Sequence, residues 1–189
     1  MAFPNPSSFV PVISQAVDGP TLTAAAAASC LAPVNRLPML GGFWTLNKSL
    51  LVKIQGRISC AVTTPGTARF DFRTGPTGTI VAFDTGALNL NIVAKANVPF
   101  ALEIMLTCRT VGTGTATTLF GIGSFTSEAV IGAPLPTIGG NGTLMVPVGT
   151  PAVGGGFDNT AANMIDFFFT QTVATGSMTV HNLSVWEAI

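Results

Sequence analysis

The sequence has no tyrosine, one histidine and three cysteines in 189 residues, and only 8% of it is charged, against about 25% in an average domain. Each scarcity excludes a class. With a single histidine, a nucleophilic triad must use His181, and no GxSxG elbow presents a serine to it; Gly121-Ile-Gly-Ser-Phe125 has the wrong order. Cys30, Cys60 and Cys108 form no CxxC pair, so a zinc site lacks its ligands. Eight Lys+Arg balance eight Asp+Glu, and no basic cluster offers a footprint for a phosphate backbone, which excludes nucleic acid as a partner. No window supplies the ~20 continuous apolar residues of a membrane-spanning helix. Thr110–Ser127 is uncharged but made of Gly and Thr, so no membrane role is expected. Gly112–Thr115 and Gly154–Gly156 lack GK[ST], so no phosphate cradle forms. Disorder needs low hydrophobicity or high net charge, and neither is present.

What the chain does have is 48% hydrophobic residues, 21 glycines, 13 prolines and 13 phenylalanines, arranged as short apolar stretches between turn residues. Residues 1–20 carry Pro4, Pro6, Pro11 and Pro20 and read as an extended arm, leaving 21–189 as the folded domain. Thr21–Leu31, with alanine at every position from Ala24 to Ala28, suits a short helix or an extended strand. From Asn47 the period becomes two. Leu50, Val52, Ile54 and Ile58 face one way, and Lys53, Gln55 and Arg57 the other. A turn at Thr64–Thr67 then suggests a hairpin to a strand with Phe70 and Phe72 inward and Arg69, Asp71 and Arg73 outward. Thr79–Thr85 follows a turn at Gly75–Gly78.

Pro99–Arg109 alternates most regularly, with Phe100, Leu102, Ile104, Leu106 and Cys108 on one face. Gly112–Thr115 turns the chain into Thr117–Ile131, where Gly121 and Gly123 mark a bend or a close backbone approach. Pro134–Gly156 reads as a weakly structured connection with one short strand at Thr143–Val148. Met164–Val173 puts Ile165, Phe167 and Phe169 on one face and Met164 and Phe168 on the other, so both are covered. It is expected to pair with Met178–Ala188 across Ala174–Ser177, and the slipped alternation there predicts a bulge at His181-Asn182. The sum is about eight strands without helix alternation, an all-β antiparallel β-sandwich of jelly-roll type with an extended N-terminal arm.

Candidate chemistry is sparse. Asp158-Asn159-Thr160 with Asn163 approximates a calcium loop or a backbone-bonded turn. Glu103 and Glu128 are either a glycosidase pair or solvated charges, and Arg69, Asp71 and Arg73 face outward for pairing with Glu103 or near Arg109. Trp44 and Trp186 either stack on sugars or pack in the core or an oligomer interface. Cys60 and Cys108 read as buried free thiols, with a Cys60–Cys108 disulfide as the alternative. The N-terminal residues lack a signal peptide's basic start and apolar run, so synthesis in a cytoplasm is expected and the sequons at Asn47, Asn141 and Asn182 carry no weight.

One resemblance is carried by a series of segments. They are Asp18-Gly-Pro-Thr-Leu-Thr23, Leu37-Pro38 ahead of Phe43-Trp44, Leu46–Ile54 with Gly56–Ser59, Thr64-Pro-Gly-Thr67, Val98–Glu103, and Thr107–Thr115. In that order, over roughly residues 18–188, the chain resembles tailed-bacteriophage virion structural proteins of the capsid decoration (cement) type. The resemblance implies a jelly-roll or related β-sandwich module, trimeric assembly, and no catalytic residue or cofactor to carry over. The expectation is a non-enzymatic protein on the virion's capsid surface, made in the host bacterial cytoplasm, with the major capsid protein and its own copies, as a homotrimer, for partners. Low surface charge suits apolar attachment to a lattice. Phe3, Phe9, Val10, Val12 and Ile13 of the arm would bind the partner, and Trp44, Trp186 and Phe168 would form the oligomer interface. The alternative is a tail-fibre or receptor-binding module that recognises host glycans through loops such as Pro134–Gly156.

Overall fold

The computed structural model describes residues 9–61, 65–130 and 142–188. Along the chain its strands are β1 (Phe9–Ser14), β2 (Ala28–Ser29), β3 (Leu37–Met39), β4 (Ser49–Cys60), β5 (Thr67–Thr74) and β6 (Ile80–Asp84). They continue as β7 (Leu88–Asn89), β8 (Lys95–Thr110), β9 (Thr118–Ser127), β10 (Thr143–Val146), β11 (Asn163–Gln171) and β12 (Ser177–Ala188). A 3₁₀ turn at Pro33–Asn35 is the one helical element among the described residues. Strands with one apolar face are stable only when two such faces meet, and here they meet as two antiparallel sheets. The large sheet runs β1-β12-β4-β8-β9-β10, and the small one β2-β11-β5-β6, with β3 against β11 and β7 against β5. The fold is an all-β antiparallel sandwich.

Alternation sends Leu50, Val52 and Ile54 of β4, and Phe100, Leu102, Ile104, Leu106 and Cys108 of β8, into the core from the large sheet. Phe70 and Phe72 of β5, with Ile165, Phe167 and Phe169 of β11, enter from the small sheet. The aromatic rings carry the contact. Phe70 lies 5.5 Å from both Phe100 and Phe125 and 5.2 Å from Phe169, centroid to centroid. Phe100 and Phe125 stack at 5.6 Å with 15° between planes. Phenylalanine suits this layer because it brings aromatic area without a hydroxyl to satisfy. Gly121 of β9 faces the same core, and a Cβ there would overlap the ring of Phe83, which reaches across from β6.

Two expected hairpins do not form. β4 lies in the large sheet between β12 and β8, while β5 lies in the small sheet between β11 and β6. Likewise β11 pairs with β5, β2 and β3, and β12 with β4 and β1. The reason is the same in both cases. Each strand has one apolar face, and crossing to the opposite sheet lets the two faces stack, which edge-to-edge pairing would not. Three residues of the first connection, 62–64, lie outside the described ones. The β8–β9 hairpin and the β5–β6 pairing do form.

The segment read as an arm contributes β1, which pairs antiparallel with β12 at the edge of the large sheet. The chain then stays on β12 through backbone bonds from Gln15 to Leu183, Gly19 to Val180 and Leu22 to Met178. The alanine run forms neither a helix nor a long strand: Ala24–Ala26 bend, and only Ala28 enters β2. These alanines are exposed until Ala28, so no packed face supports a helix that propensity alone leaves marginal. The bulge expected at His181-Asn182 is a register shift between Val180 and Asn182, after which Leu183 and Val185 resume the buried phase.

Candidate functional site

The large sheet buries one face and turns the other to solvent, and its register lines the outward side chains into rows that cross the strands. The first row is Pro11, Trp186, Leu51, Met105 and Ile122. All five are apolar. Met105 and Ile122 are 38% and 41% exposed, and Met145 in the neighbouring row is 67% exposed. The second row is Ser184, Lys53, Glu103, Ser124 and Met145, with Lys53 Nζ 2.9 Å from Glu103 Oε2 and 6.0 Å above the Trp186 ring. The third row is Asn182, Gln55, Ala101, Thr126 and Thr143, uncharged throughout.

Among the described residues every Asp and Glu except Asp158 is paired: Asp18 with His181, the others with lysine or arginine. On the outer face of the small sheet, Asp71 sits between Arg69 and Arg73, and Arg69 also reaches Asp84. Asp166 accepts from Ser29 Oγ at 2.6 Å and lies 3.1 Å from Arg36 Nε. Burial pushes the Asp166 carboxyl above its ordinary value despite the pulls of Ser29, Arg36 and Arg73. This ladder is on the sheet opposite to Glu103 and Arg109, so the pairing expected between those groups does not occur. Nothing in the linear sequence marked Arg36 or Asp166, because their meeting depends on β3 docking beside β11.

The proposed site residues scatter. Trp44 is 1% exposed, packed edge-on to Phe43 at 5.2 Å and Phe157 at 6.3 Å, so it belongs to the core and neither to an oligomer interface nor to a sugar platform. Asn159 clamps it: Trp44 N–H donates to Asn159 Oδ1 at 3.0 Å, and Asn159 Nδ2 donates to the Trp44 carbonyl at 2.8 Å. Trp186 is half-buried in the first row. Phe168 is half-buried on the other sheet's outer face, 3.8 Å beneath the Arg73 guanidinium, so these two do not share a surface. In β1, Val10 is exposed, Val12 half-buried against the core and Ile13 buried; Phe9 opens the strand opposite Ala188. Phe3 lies outside the described residues, as do Asn141 and most of the first half of Pro134–Gly156.

The catalytic candidates are held in other work. Glu103 is paired with Lys53, and Glu128 with Lys95 at 3.1 Å. Glu103 lies opposite Ser124 while Glu128 falls beyond the Phe100–Ser127 pair, which at about 3.4 Å per residue separates their backbones by about 10 Å or more along the strand. His181 Nδ1 is 2.9 Å from Asp18 Oδ2 at the bulge. Asp158 Oδ1 accepts from the Thr160 N–H and hydroxyl at 2.8 and 2.6 Å, and Asn163 Nδ2 donates to the Asp158 carbonyl. The loop is therefore a self-satisfied turn, and the Thr160 hydroxyl, with the backbone N–H groups of Gly114 and Thr160, holds the Asp158 carboxyl below its ordinary value. Among the described residues no three of His, Cys, Asp and Glu come together as metal ligands. The three cysteines are free and buried, so the disulfide alternative is not realised. Burial pushes all three thiols up, away from nucleophilic character. No described helix is long and apolar enough to cross a membrane.

No protein-family model, curated protein or solved structure matches the chain.

Proposed function

We propose that this chain is a non-enzymatic structural protein of a virus particle, of the capsid decoration type, that attaches to the outer capsid lattice and assembles with its own copies as a homotrimer. The observation that supports this reading is the first row: Pro11, Trp186, Leu51, Met105 and Ile122 form an apolar band across an outward-facing sheet. Beside the band Lys53 is paired with Glu103 and Lys48 with Glu187, while Arg109 lies over the Phe120 ring, so few charges border it. Such a surface associates by shape and apolar area, and many symmetric copies convert weak contacts into firm attachment.

The strand order adds to the reading. Leaving out the short β3 and β7 and the appended β9 and β10, the strands nest as first-last-third-sixth and second-seventh-fourth-fifth. We read that order as a jelly roll, an architecture that recurs in viral capsid and lectin domains. Fold alone assigns no function, so the test is localisation. Immunogold labelling of the source particles with antibody to this protein is expected to decorate the head. Label confined to the tail would favour the fibre reading, and absence of label would overturn both. Met105→Lys with Ile122→Lys is expected to release the protein from particles without lowering its melting temperature; retention would remove the band's role.

A further inference from the structure

We propose that the groove crossing the large sheet at Ala101 binds a neutral oligosaccharide. The groove follows the third row, in which register brings Asn182, Gln55, Ala101, Thr126 and Thr143 side by side from five strands. Its depth has a local cause. Ala101 is the shortest side chain of the row. The resulting concavity measures about 630 Å³, within the span of small-ligand sites, about 300–1,000 Å³.

The lining selects the ligand. Exposed Pro99 and Ala101 supply an apolar floor. Two amides stand at one end, with Asn182 Nδ2 donating to Gln55 Oε1 at 3.2 Å. That leaves Gln55 Nε2 and Asn182 Oδ1 to offer a donor and an acceptor side by side. Two hydroxyls stand at the other end, Thr126 and Thr143, 3.2 Å apart and each able to donate or accept. His181 lines the same groove with Nδ1 engaged by Asp18, which leaves Nε2 for a ligand. Two of the nearby ion pairs are matched, Lys95 with Glu128 and Lys53 with Glu103; Arg57, exposed opposite Pro99 at the rim, has no acidic partner among the described residues, and the charged control below reads whether it draws an anion in. A pyranose presents what this surface complements: an apolar C–H face for the floor and neutral hydroxyls for the amides and threonines.

Other occupants fit less well. An extended peptide adds to a sheet edge through its backbone, whereas this groove crosses the face of a sheet whose ladder is already paired. A nucleic acid would need cations for its phosphates. Five strands about 4.8 Å apart extend the row over roughly 19 Å, which suits an oligosaccharide better than a single sugar. The inference is independent of virion localisation, and particle labelling bears on neither its success nor its failure.

The test is a two-dimensional amide NMR titration of the full chain with cello-, malto-, manno- and chito-oligosaccharides at millimolar concentration, with a sulfated oligosaccharide as the charged control. At least one neutral series is expected to shift the amides of Gln55, Ala101, Thr126 and Asn182. Gln55→Ala is expected to weaken that binding up to about tenfold, the loss of one hydrogen bond. Ala101→Trp, on an exposed position, is expected to fill the groove and abolish binding while the remaining spectrum stays that of the folded protein. The control is expected to leave the groove unshifted. Shifts with none of the neutral sugars, shifts mapping elsewhere, a groove shifted only by the sulfated sugar, or undiminished binding by Ala101→Trp would each overturn the proposal.

Discussion

The contact between Gly121 and Phe83 sets how closely the two sheets approach at β6 and β9. A methyl group at position 121 would overlap the Phe83 ring and lie 2.9 Å from Leu106 Cδ2. Phe83 is 4% exposed and Leu106 fully buried, so neither can swing into solvent. Overpacking of this kind costs about 1–3 kcal/mol, and removing a strand glycine returns about 0.5–1 kcal/mol. Gly121→Ala is therefore expected to lose about 1–2 kcal/mol. Phe83→Ala leaves a cavity and is expected to lose about 3–5 kcal/mol. In the double variant the new methyl enters space the ring has vacated, so the combined loss falls short of the sum by about 1 kcal/mol or more. Urea denaturation followed by tryptophan fluorescence reads all three, provided the slopes agree. Strict additivity, or a Gly121→Ala protein as stable as the parent, would refute the reasoning.

Three further outcomes are expected. Asn159→Ala removes both bonds of the amide clamp on buried Trp44; at about 1–3 kcal/mol per orphaned buried group it should cost about 2–6 kcal/mol in the same denaturation assay. Asn159→Asp keeps the acceptor but sets a buried carboxylate oxygen against the Trp44 carbonyl, so at neutral pH it should cost at least as much, and equal stability of either variant with the parent would contradict the clamp. Asp166 has a raised pKa, so the folded state holds its proton more tightly than the unfolded one. Its contribution is full below about 3.9 and is lost as pH rises through the raised value. The stability advantage of the parent over Asp166→Asn should accordingly shrink across that window in urea titrations at successive acidic pH values, and an advantage that grows would refute the assignment. Finally, the buried thiols of Cys30, Cys60 and Cys108 should resist a thiol reagent at neutral pH in the folded protein and all react in denaturant; rapid labelling of the native protein would contradict their burial.

Periodicity alone marks the central strands and their faces, though not β1, which forms in the segment read as an arm. The alternation in Leu50–Ile54, Phe70–Phe72, Phe100–Cys108 and Ile165–Phe169 marks the side chains that are buried, because a strand's side chains have a period of two whatever it pairs with. The slipped phase around His181 likewise announces the bulge from local spacing alone. Pairing was a different matter. Proximity along the chain suggested β4 with β5 and β11 with β12, but burial of four apolar faces is better served when consecutive strands cross between sheets. The site follows from that choice. Asn182, Gln55, Ala101, Thr126 and Thr143 are far apart in the chain, and only register makes them a row. Trp44 shows the converse: an aromatic residue after two glycines reads equally as a platform or as core, and Phe43, Phe157 and the Asn159 amide decide for the core. Periodicity is a property of each strand alone, whereas a surface that recognises another molecule is assembled from neighbours that only the closed sandwich supplies.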